Sequence, residues 1–590
     1  MAKGFDTIHV KAATKAHNKF DLSRAHLTTM NFGEIIPLFA EEVIPGDKFK
    51  VDGNYFSRMA PLVRPTYGKF SFNTVASFVP YYQVSNGIDG FMAGSQKWEG
   101  EDATTRTFSV KALCELAVSS SQGASGSGDT DFSYTQANGT VANRRFTKKG
   151  KYIFKVLNSL GYQLPESVDY SATGATGWAT VEGVRQLSAL PLLAFFKAYN
   201  DFMSQSQRFN NSLLTKYLKY IKLDKSLTSI YDASNHQLYW TGIQALFDNL
   251  YLQYENGYFT SAWQYPNSPV SKLDNNYSPN PMYVPSWQGS GDDIEFDIDD
   301  NTLGMGYSTS INQRSLDFLK SFDDWVRRNN YSGSRAVQKV YSRFGVKTED
   351  YRANYAHIIA TDKIPVQVGD ITSQASTTQA TLGDFAGKGI VSGSKGFSFD
   401  ANEYGMLFVF AYYTVVPMYP YGCDRHVLKT KPTDYYTPEF DGLGAQAIPY
   451  CEIFENPTMK DSYVSSDIFG YTERYNEYRY GRDKITGEFR KLLPTSANTA
   501  TSWNVWHNGR DLTGVRSNGY MVAQSTSMNS LAQTDSEYNR IFNMTSGDDD
   551  KFYLTSYFNV SAVRPMLSLN QVPRLGEGDT TLPKNGNVVN

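Results

Sequence analysis

The sequence predicts a mainly β fold, a single eight-stranded jelly roll whose strands are separated by long, partly helical loop insertions. Two runs near the start, EIIPLFAEEVIPGDKFKV (Glu34–Val51) and KFSFNTVASFVP (Lys69–Pro80), are rich in aromatic and branched residues and cut by Pro and Gly, as strands and turns are. Far downstream, YGMLFVFAYYTVVP (Tyr404–Pro417) is apolar at both parities, so both faces of a strand there must be buried, which places it in the middle of a sheet sandwich. Strands so distant in sequence then share one core. An all-β core with very long interruptions is most simply a jelly roll, whose strand ends tolerate insertion.

Helical text lies between the strands. Pro191 suits a first helical position, and Leu192, Phe195, Phe196, Tyr199 and Met203 follow at helical spacing, predicting a helix with one face inward. A second stripe runs through Leu316, Leu319, Phe322 and Val326. A third, through Val337, Val340, Tyr341 and Phe344, ends at Gly345, a natural C-terminal cap. Ser119–Thr140, rich in Ser and Gly, and Asn210–Asn301 read as surface insertions. The resulting organisation is a basic N-terminal arm at 1–29, a first part of the core at 30–209, a surface insertion at 210–301, the remaining core at 302–569 and a tail at 570–590.

Composition narrows the function. A net charge of -3 excludes a chain that coats nucleic acid over its whole surface, because that task needs a basic face that releases counterions. Any DNA contact must therefore be local. The 41 Tyr and 36 Phe bury large areas at small rotamer cost, which suits contact with a partner or with further copies of the chain. Three scattered cysteines, Cys114, Cys423 and Cys451, form neither a disulfide framework nor a zinc ribbon and fit synthesis in a reducing cytoplasm. The N-terminus has no apolar signal region, and the longest apolar run, Gly405–Met418, is too short and tyrosine-rich to span a bilayer, so neither export nor membrane insertion is expected.

No catalytic or metal site emerges. LGDFAGKGI places Gly383 and Gly387 too close for a phosphate loop, with Gly389 where the magnesium-binding Ser or Thr belongs. DIDDN (Asp297–Asn301) opens like a calcium loop, but Thr302 replaces the required glycine and Ser308 the bidentate glutamate. His357, His426 and His507 stand singly and read as structural. Glu439 and Glu452 could in principle form a glycosidase pair, two carboxylates flanking a sugar bond, but nothing in their spacing favours it. No cofactor is expected. The competing reading from another class is an exported carbohydrate-binding protein or glycoside hydrolase, which would need the export signal that the N-terminus lacks.

Two groups are candidates for contact with DNA. Lys3, Lys11, Lys15, Lys19 and Arg24 make the N-terminal segment basic; they either neutralise phosphates or form an ordinary solvated terminus. Arg474, Tyr475, Tyr478, Arg479 and Tyr480 interleave aromatic and cationic side chains, which either stack single-stranded bases or make contacts within the loop and between subunits.

An ordered series of motifs carries a resemblance. FDLS (Phe20–Ser23), EEVIPGDKF (Glu41–Phe49), SFVPYY (Ser77–Tyr82) and LSALPLLAFFKAYNDF (Leu187–Phe202) are followed by SRAVQKVYSRFGV (Ser334–Val346) and LGDFAGKGI (Leu382–Ile390). DYYTPEFDGLGAQAI (Asp434–Ile448), FGYTERYNEYRYGRDKITGEFR (Phe469–Arg490) and VRPMLS (Val563–Ser568) complete it. In this order they resemble the gokushovirus-like major capsid proteins of the Microviridae, bacteriophages with single-stranded DNA. The turn after SFVPYY lacks the family's tryptophan-rich continuation, and MSQSQRFNN replaces an Arg-Asn-rich stretch, which bears on subgroup only.

The resemblance implies a jelly roll of the viral capsid type that self-assembles in the bacterial host cytoplasm into a T=1 icosahedral shell. That shell, the virion, would enclose a circular single-stranded DNA genome. A scaffolding protein and a DNA pilot protein are the implied assembly partners. The segment 210–301 would then form a surface protrusion that meets a host cell-surface receptor.

Overall fold

The computed structural model describes residues 17–566 apart from internal stretches, chiefly 170–184, 204–230, 263–340, 373–384, 454–467, 491–502 and 511–537. It is mainly β. Ten strands form the two principal sheets: β1 (Asn18–Asp21), β2 (Arg24–Met30), β3 (Ile36–Val43), β4 (Lys48–Met59), β5 (Phe70–Pro80), β6 (His357–Pro365), β7 (Gln367–Thr372), β8 (Phe385–Asp400), β9 (Gly405–Val415) and, after a hairpin of β10 (Ala445–Pro449) and β11 (Ile468–Glu473), β12 (Phe552–Arg564).

The first sheet has four strands in the order β6-β5-β9-β3, and the second runs β1-β12-β4-β8-β7 with β2 also on β12. All these pairings are antiparallel. Pairing is nested: β3 joins β9, β4 joins β8, and β5 joins β6. Such nesting is what winding one long antiparallel ribbon requires, the principle of a jelly roll. Among the described residues the sheets contain six and four strands rather than eight in all, because the N-terminal strands β1 and β2 add to β12.

β9 shows why the sheets stack. Met406, Phe408 and Phe410 face one apolar cluster, whereas Leu407, Val409, Ala411, Tyr413 and Val415 face a second, and all are nearly inaccessible to solvent. Alternate residues point to opposite faces, so a strand without a polar face is stable only between two layers. On one side lies the six-stranded sheet: Phe49, Val51 and Tyr55 of β4 and Phe552, Leu554, Phe558 and Val560 of β12 meet β9 there. The Tyr413 ring stacks on Phe552 at 3.7 Å between centroids, and its hydroxyl donates to Ser57 Oγ across the core at 2.6 Å.

On the other side lie helices α1 (Val110–Ser119), α2 (Lys148–Ser159), α3 (Leu190–Phe202) and α4 (Trp240–Asp248), which come from the long connection between β5 and β6. Ser109 caps α1 by accepting from the Ala112 N–H at 3.1 Å, and Thr147 caps α2 by accepting from Gly150 at 3.2 Å. α3 starts with Pro191 in its first turn, as its sequence predicts. Burial runs all round it from Leu192 to Tyr199, not on one face, because the helix lies between β9 and the other helices. Its Lys197 is neutralised by Asp201 one turn on at 3.1 Å. Lys155 of α2 ties this layer to the sheets through Glu34 at 2.6 Å and Asp550 at 3.1 Å.

Several sequence expectations change here. Residues 18–21 and 24–30, read as part of a basic arm, are strands, so the N-terminal segment is a sheet component from Asn18 onward. Within Ser119–Thr140, Ser121–Gly123 and Phe132–Thr135 are strands of a small sheet with Val141–Phe146. Part of 210–301 is interior: Leu238, Ile243, Leu246, Leu252, Tyr254 and Phe259 are buried, and the Tyr254 and Tyr538 hydroxyls share a hydrogen bond at 2.6 Å. Polar text around these residues hid short apolar contacts. The stripe at 316–326 lies outside the described residues, as do Val337 and Val340; Gly345 has φ 67° and its N–H donates to the Tyr341 carbonyl at 2.9 Å, a left-handed cap.

Phe408→Ala, at a position inaccessible to solvent, is expected to lower unfolding free energy by about 3–5 kcal/mol. Tyr404→Ala, whose side chain is exposed just before β9, should change it by no more than about 0.5 kcal/mol, both read from denaturant unfolding.

Candidate assembly surface

The hairpin β10–β11, in register Gln446 opposite Thr472, delivers the chain to the turn at 474–480. Tyr475 has φ 62°, the one non-glycine residue with positive φ among the described residues. A left-handed Tyr costs about 1–2 kcal/mol, so the contacts around it must offset that. Its N–H donates to Gln446 Oε1 at 3.1 Å, its ring is buried, and Asn476 next to it donates to Thr472 Oγ1 at 2.6 Å.

Fixed in this way, the turn packs on the loop 425–441. Glu477 accepts from Gln446 Nε2 at 2.9 Å and pairs with Lys429 at 2.8 Å. The Lys429 ammonium also lies 4.2 Å from the centre of the Tyr478 ring. Arg479 bridges Glu473 at 2.9 Å and Asp441 at 2.7 Å. Arg474 covers Phe440 at 5.0 Å and Tyr475 at 5.2 Å. Tyr436 sets its edge against Tyr475 at 5.2 Å and Tyr478 at 6.0 Å.

Tyr435, Tyr436, Phe440, Tyr478 and Tyr480 nevertheless expose between 37% and 59% of their surface. The result is an aromatic patch whose neighbouring Lys429 and Arg479 charges are already matched inside the loop. Covering it with another surface would bury apolar area without leaving those two cations unpaired, which is the costly event in burying charge.

Beneath the patch Glu452 is enclosed, with Arg425 at 2.7 Å and the Tyr258 hydroxyl donating at 2.9 Å. Burial raises its carboxyl above the usual range, and Arg425 opposes that shift. Glu452 therefore holds the loop and presents no carboxylate to a substrate, while Glu439 sits on the exposed side. Gly422 has φ 91°, and a Cβ there would lie 2.2 Å from the Glu452 carbonyl oxygen, so only glycine fits.

His507 accepts the Gly509 N–H at Nδ1 (3.0 Å) and donates from Nε2 to the Phe489 carbonyl (2.9 Å). The ring is thus held neutral, and burial, the largest cause, lowers its pKa to about 4. His357 stacks on Phe78 at 6.1 Å, and His426 is exposed beside Asp424 at 3.8 Å. Among the described residues no group of three His, Cys, Asp or Glu side chains is placed to hold a metal ion, and no helix is long and apolar enough to cross a membrane.

Of the residues singled out in the sequence, the structure brings Arg474, Tyr475, Tyr478 and Arg479 together with the 425–441 loop. It places Tyr480 beside them as an exposed ring. Lys3, Lys11 and Lys15 lie outside the described residues. Lys19 is in β1 opposite Val563, and Arg24 is occupied by Glu41 at 2.8 Å, by the Ala40 carbonyl at 2.5 Å and by the Phe39 ring at 4.3 Å. Tyr435, Tyr436, Phe440 and Lys429 were missed as site residues, although DYYTPEF repeats the aromatic and charged alternation of the turn it packs on.

A two-sheet core carrying a loop-built aromatic patch defines a protein of the β-sandwich class. Comparison with known proteins makes this particular. The family model described as capsid protein (F protein) matches residues 8–114 and 270–574, more than half of the chain. Capsid protein VP1 of Chlamydia phage 1 is 24% identical over 94% of this chain and 95% of its own length. Capsid protein VP1 of Bdellovibrio phage phiMH2K is 27% identical over 45% of this chain and 47% of its own. The chain belongs to the phage capsid protein (F protein) family, in agreement with the gokushovirus-like Microviridae resemblance of its motifs. It is a capsid protein, a structural component of the virion and not an enzyme.

Because the unfolded chain takes up a proton at His507 near pH 6.5 and the folded one only near 4, stability is full above 6.5 and lost as pH falls to about 4. That loss is on the order of 3 kcal/mol for a ring this buried. His507→Gln should flatten the stability-versus-pH curve across this window; an unchanged acid limb in pH-dependent unfolding would contradict it.

Proposed function

We propose that the chain is the major capsid protein of a small tailless phage, closing with copies of itself into a T=1 icosahedral shell around a circular single-stranded DNA genome. The observation that carries the self-association is the aromatic patch formed by Tyr435, Tyr436, Phe440, Tyr478 and Tyr480 with its adjoining charges paired internally. Tyr and Phe concentrate at protein interfaces, and modest contacts multiply when a closed symmetric assembly repeats them. The patch is therefore read as a subunit contact. Lys3, Lys11, Lys15 and Lys19 remain DNA-contact candidates by charge, whereas Arg24 is taken up by Glu41; the interleaving of Arg474, Tyr475, Tyr478, Arg479 and Tyr480 serves contact between subunits in preference to stacking on bases, because Arg479 is held by two acids.

The Microviridae resemblance adds assembly in the bacterial cytoplasm with a scaffolding protein and a DNA pilot protein. It also assigns recognition of a host cell-surface receptor to the surface insertion at 210–301, of which 237–262 contributes to the core.

Tyr436→Ser combined with Tyr478→Ser should leave a folded, soluble protein that sediments as small species, while the parent forms isometric particles by negative-stain electron microscopy in the presence of a scaffolding protein. Particles indistinguishable from the parent's would exclude the patch from the contact. Deleting 263–301 should preserve particles and abolish adsorption to host cells. Retained adsorption would remove the receptor role.

A further inference from the structure

The outward face of the six-stranded sheet has a composition that the sandwich does not explain. β4 alternates strictly, with Phe49, Val51, Tyr55 and Met59 inward and Lys48, Lys50, Asp52, Asn54, Phe56 and Arg58 outward. β12 alternates in the same way, exposing Tyr553, Thr555, Tyr557 and Asn559. Register places these side chains in rows across the sheet. Tyr553 stands opposite Arg58, which stands opposite Ile390; Leu27, Thr555, Phe56 and Ser392 form the next row; Tyr557, Asn54 and Ser394 form the third.

Across these three rows there is no acidic residue. The acids of this face, Asp21, Asp52 and Asp400, all lie in the rows beyond, toward Lys48, Lys50 and Lys19. Arg58 and Lys388, on the same parity of β4 and β8, form no ion pair with any described residue; Arg58 instead lies 5.3 Å from the Phe56 ring. Several cations elsewhere are paired: Arg24, Lys155, Lys197, Lys363, Arg425, Lys429, Arg479 and Arg564 each have a carboxylate partner. In a chain of net charge -3, two cations with no ion pair among the described residues, beside three exposed rings and no acid in these rows, form a local basic and aromatic surface.

We propose that this half of the sheet face binds single-stranded nucleic acid, with bases stacked on Phe56, Tyr553 and Tyr557 and backbone phosphates held by Arg58 and Lys388. Side chains at diagonal cross-strand positions stand roughly 7–8 Å apart, so Phe56 lies between Tyr553 and Tyr557 as a continuous platform. Exposed aromatics on a sheet with flanking cations are the general means of holding unpaired bases without reading their sequence. Asn54, Ser392, Ser394 and Thr555 add neutral donors and acceptors for base edges and sugars. A neutral glycan would use the rings and hydroxyls equally well but gains nothing from two unpaired cations, and a second copy of the chain would need to bring acids to meet them. The proposal rests on the reading that the shell encloses single-stranded DNA, and it names where on the subunit that strand lies.

Fluorescence anisotropy of labelled oligothymidylate with the purified full-length chain, titrated across salt concentrations, tests it. Arg58→Gln with Lys388→Gln should reduce the slope of log affinity against log salt by about 1.4, since each single-strand phosphate contact contributes about 0.7. Tyr553→Leu with Tyr557→Leu, which keeps the strands apolar enough to pair, should weaken binding roughly tenfold or more with the slope unchanged. A double-stranded competitor of equal length should compete poorly, because stacked pairs offer no free base faces.

Both variant pairs binding as the parent does would overturn the proposal, and so would loss of binding only in Lys11→Gln, Lys15→Gln, Lys19→Gln. Full DNA affinity with failed particle assembly would overturn it too, marking the face as a contact between copies. A parent chain that binds no oligothymidylate would fail at the earlier step, the enclosure of DNA by this subunit.

Discussion

β9 is buried on both faces, and the layers on either side of it follow from that. A strand bearing Leu407, Val409 and Tyr413 on one side and Met406, Phe408 and Phe410 on the other has no side for water. The six-stranded sheet covers one side and the helical layer the other, so the sandwich and its helices are two answers to one requirement. The β5–β6 connection is long because it must supply that second cover. Its helices are core, and α3, buried all round, is the element through which they reach β9.

Charge is then distributed unequally over the outside. Around the Arg474–Tyr480 turn, acids from β11, the turn itself and the neighbouring loop neutralise Lys429 and Arg479 in place, leaving rings exposed. A surface finished in this way suits a partner of similar chemistry. On the outward face of β4 and β12 the rings are flanked by cations that have no internal match. The two aromatic surfaces therefore differ in the one property that distinguishes a protein neighbour from a polyanion.

Much of the fold was legible because its signals are local. Pro-bounded runs at 34–51 and 69–80 became β3, β4 and β5, and the doubly apolar run at 404–417 became β9 in the middle of its sheet. What failed was context. Residues 18–30 carry Lys19, Arg24 and His26 and look like a solvated arm, yet backbone pairing to β12 makes them strands, since an edge position tolerates polar side chains. Residues 237–262 are apolar only in short pieces, and their burial depends on surfaces supplied from elsewhere, such as Tyr538 for Tyr254. The patch was half visible: the Arg and Tyr alternation at 474–480 stands out, whereas its partners at 429–441 are joined to it only by folding. The outward rows of β4 and β12 were invisible for a simpler reason, since they assemble from strands at opposite ends of the chain.

That last pairing also sets an order of events during synthesis. β12 lies between β4 and the N-terminal strands β1 and β2, so the first segments to leave the ribosome have no neighbour to pair with until residues 552–564 have emerged. Until then β4 keeps an open edge, and Tyr413 lacks the Phe552 ring that closes the core over it. Contacts of such sequence separation form slowly. The subunit thus withholds its finished surface until residues 552–564 have been made, which separates making the sheet from joining the protein to its neighbours and gives any chaperoning partner a defined interval in which to act.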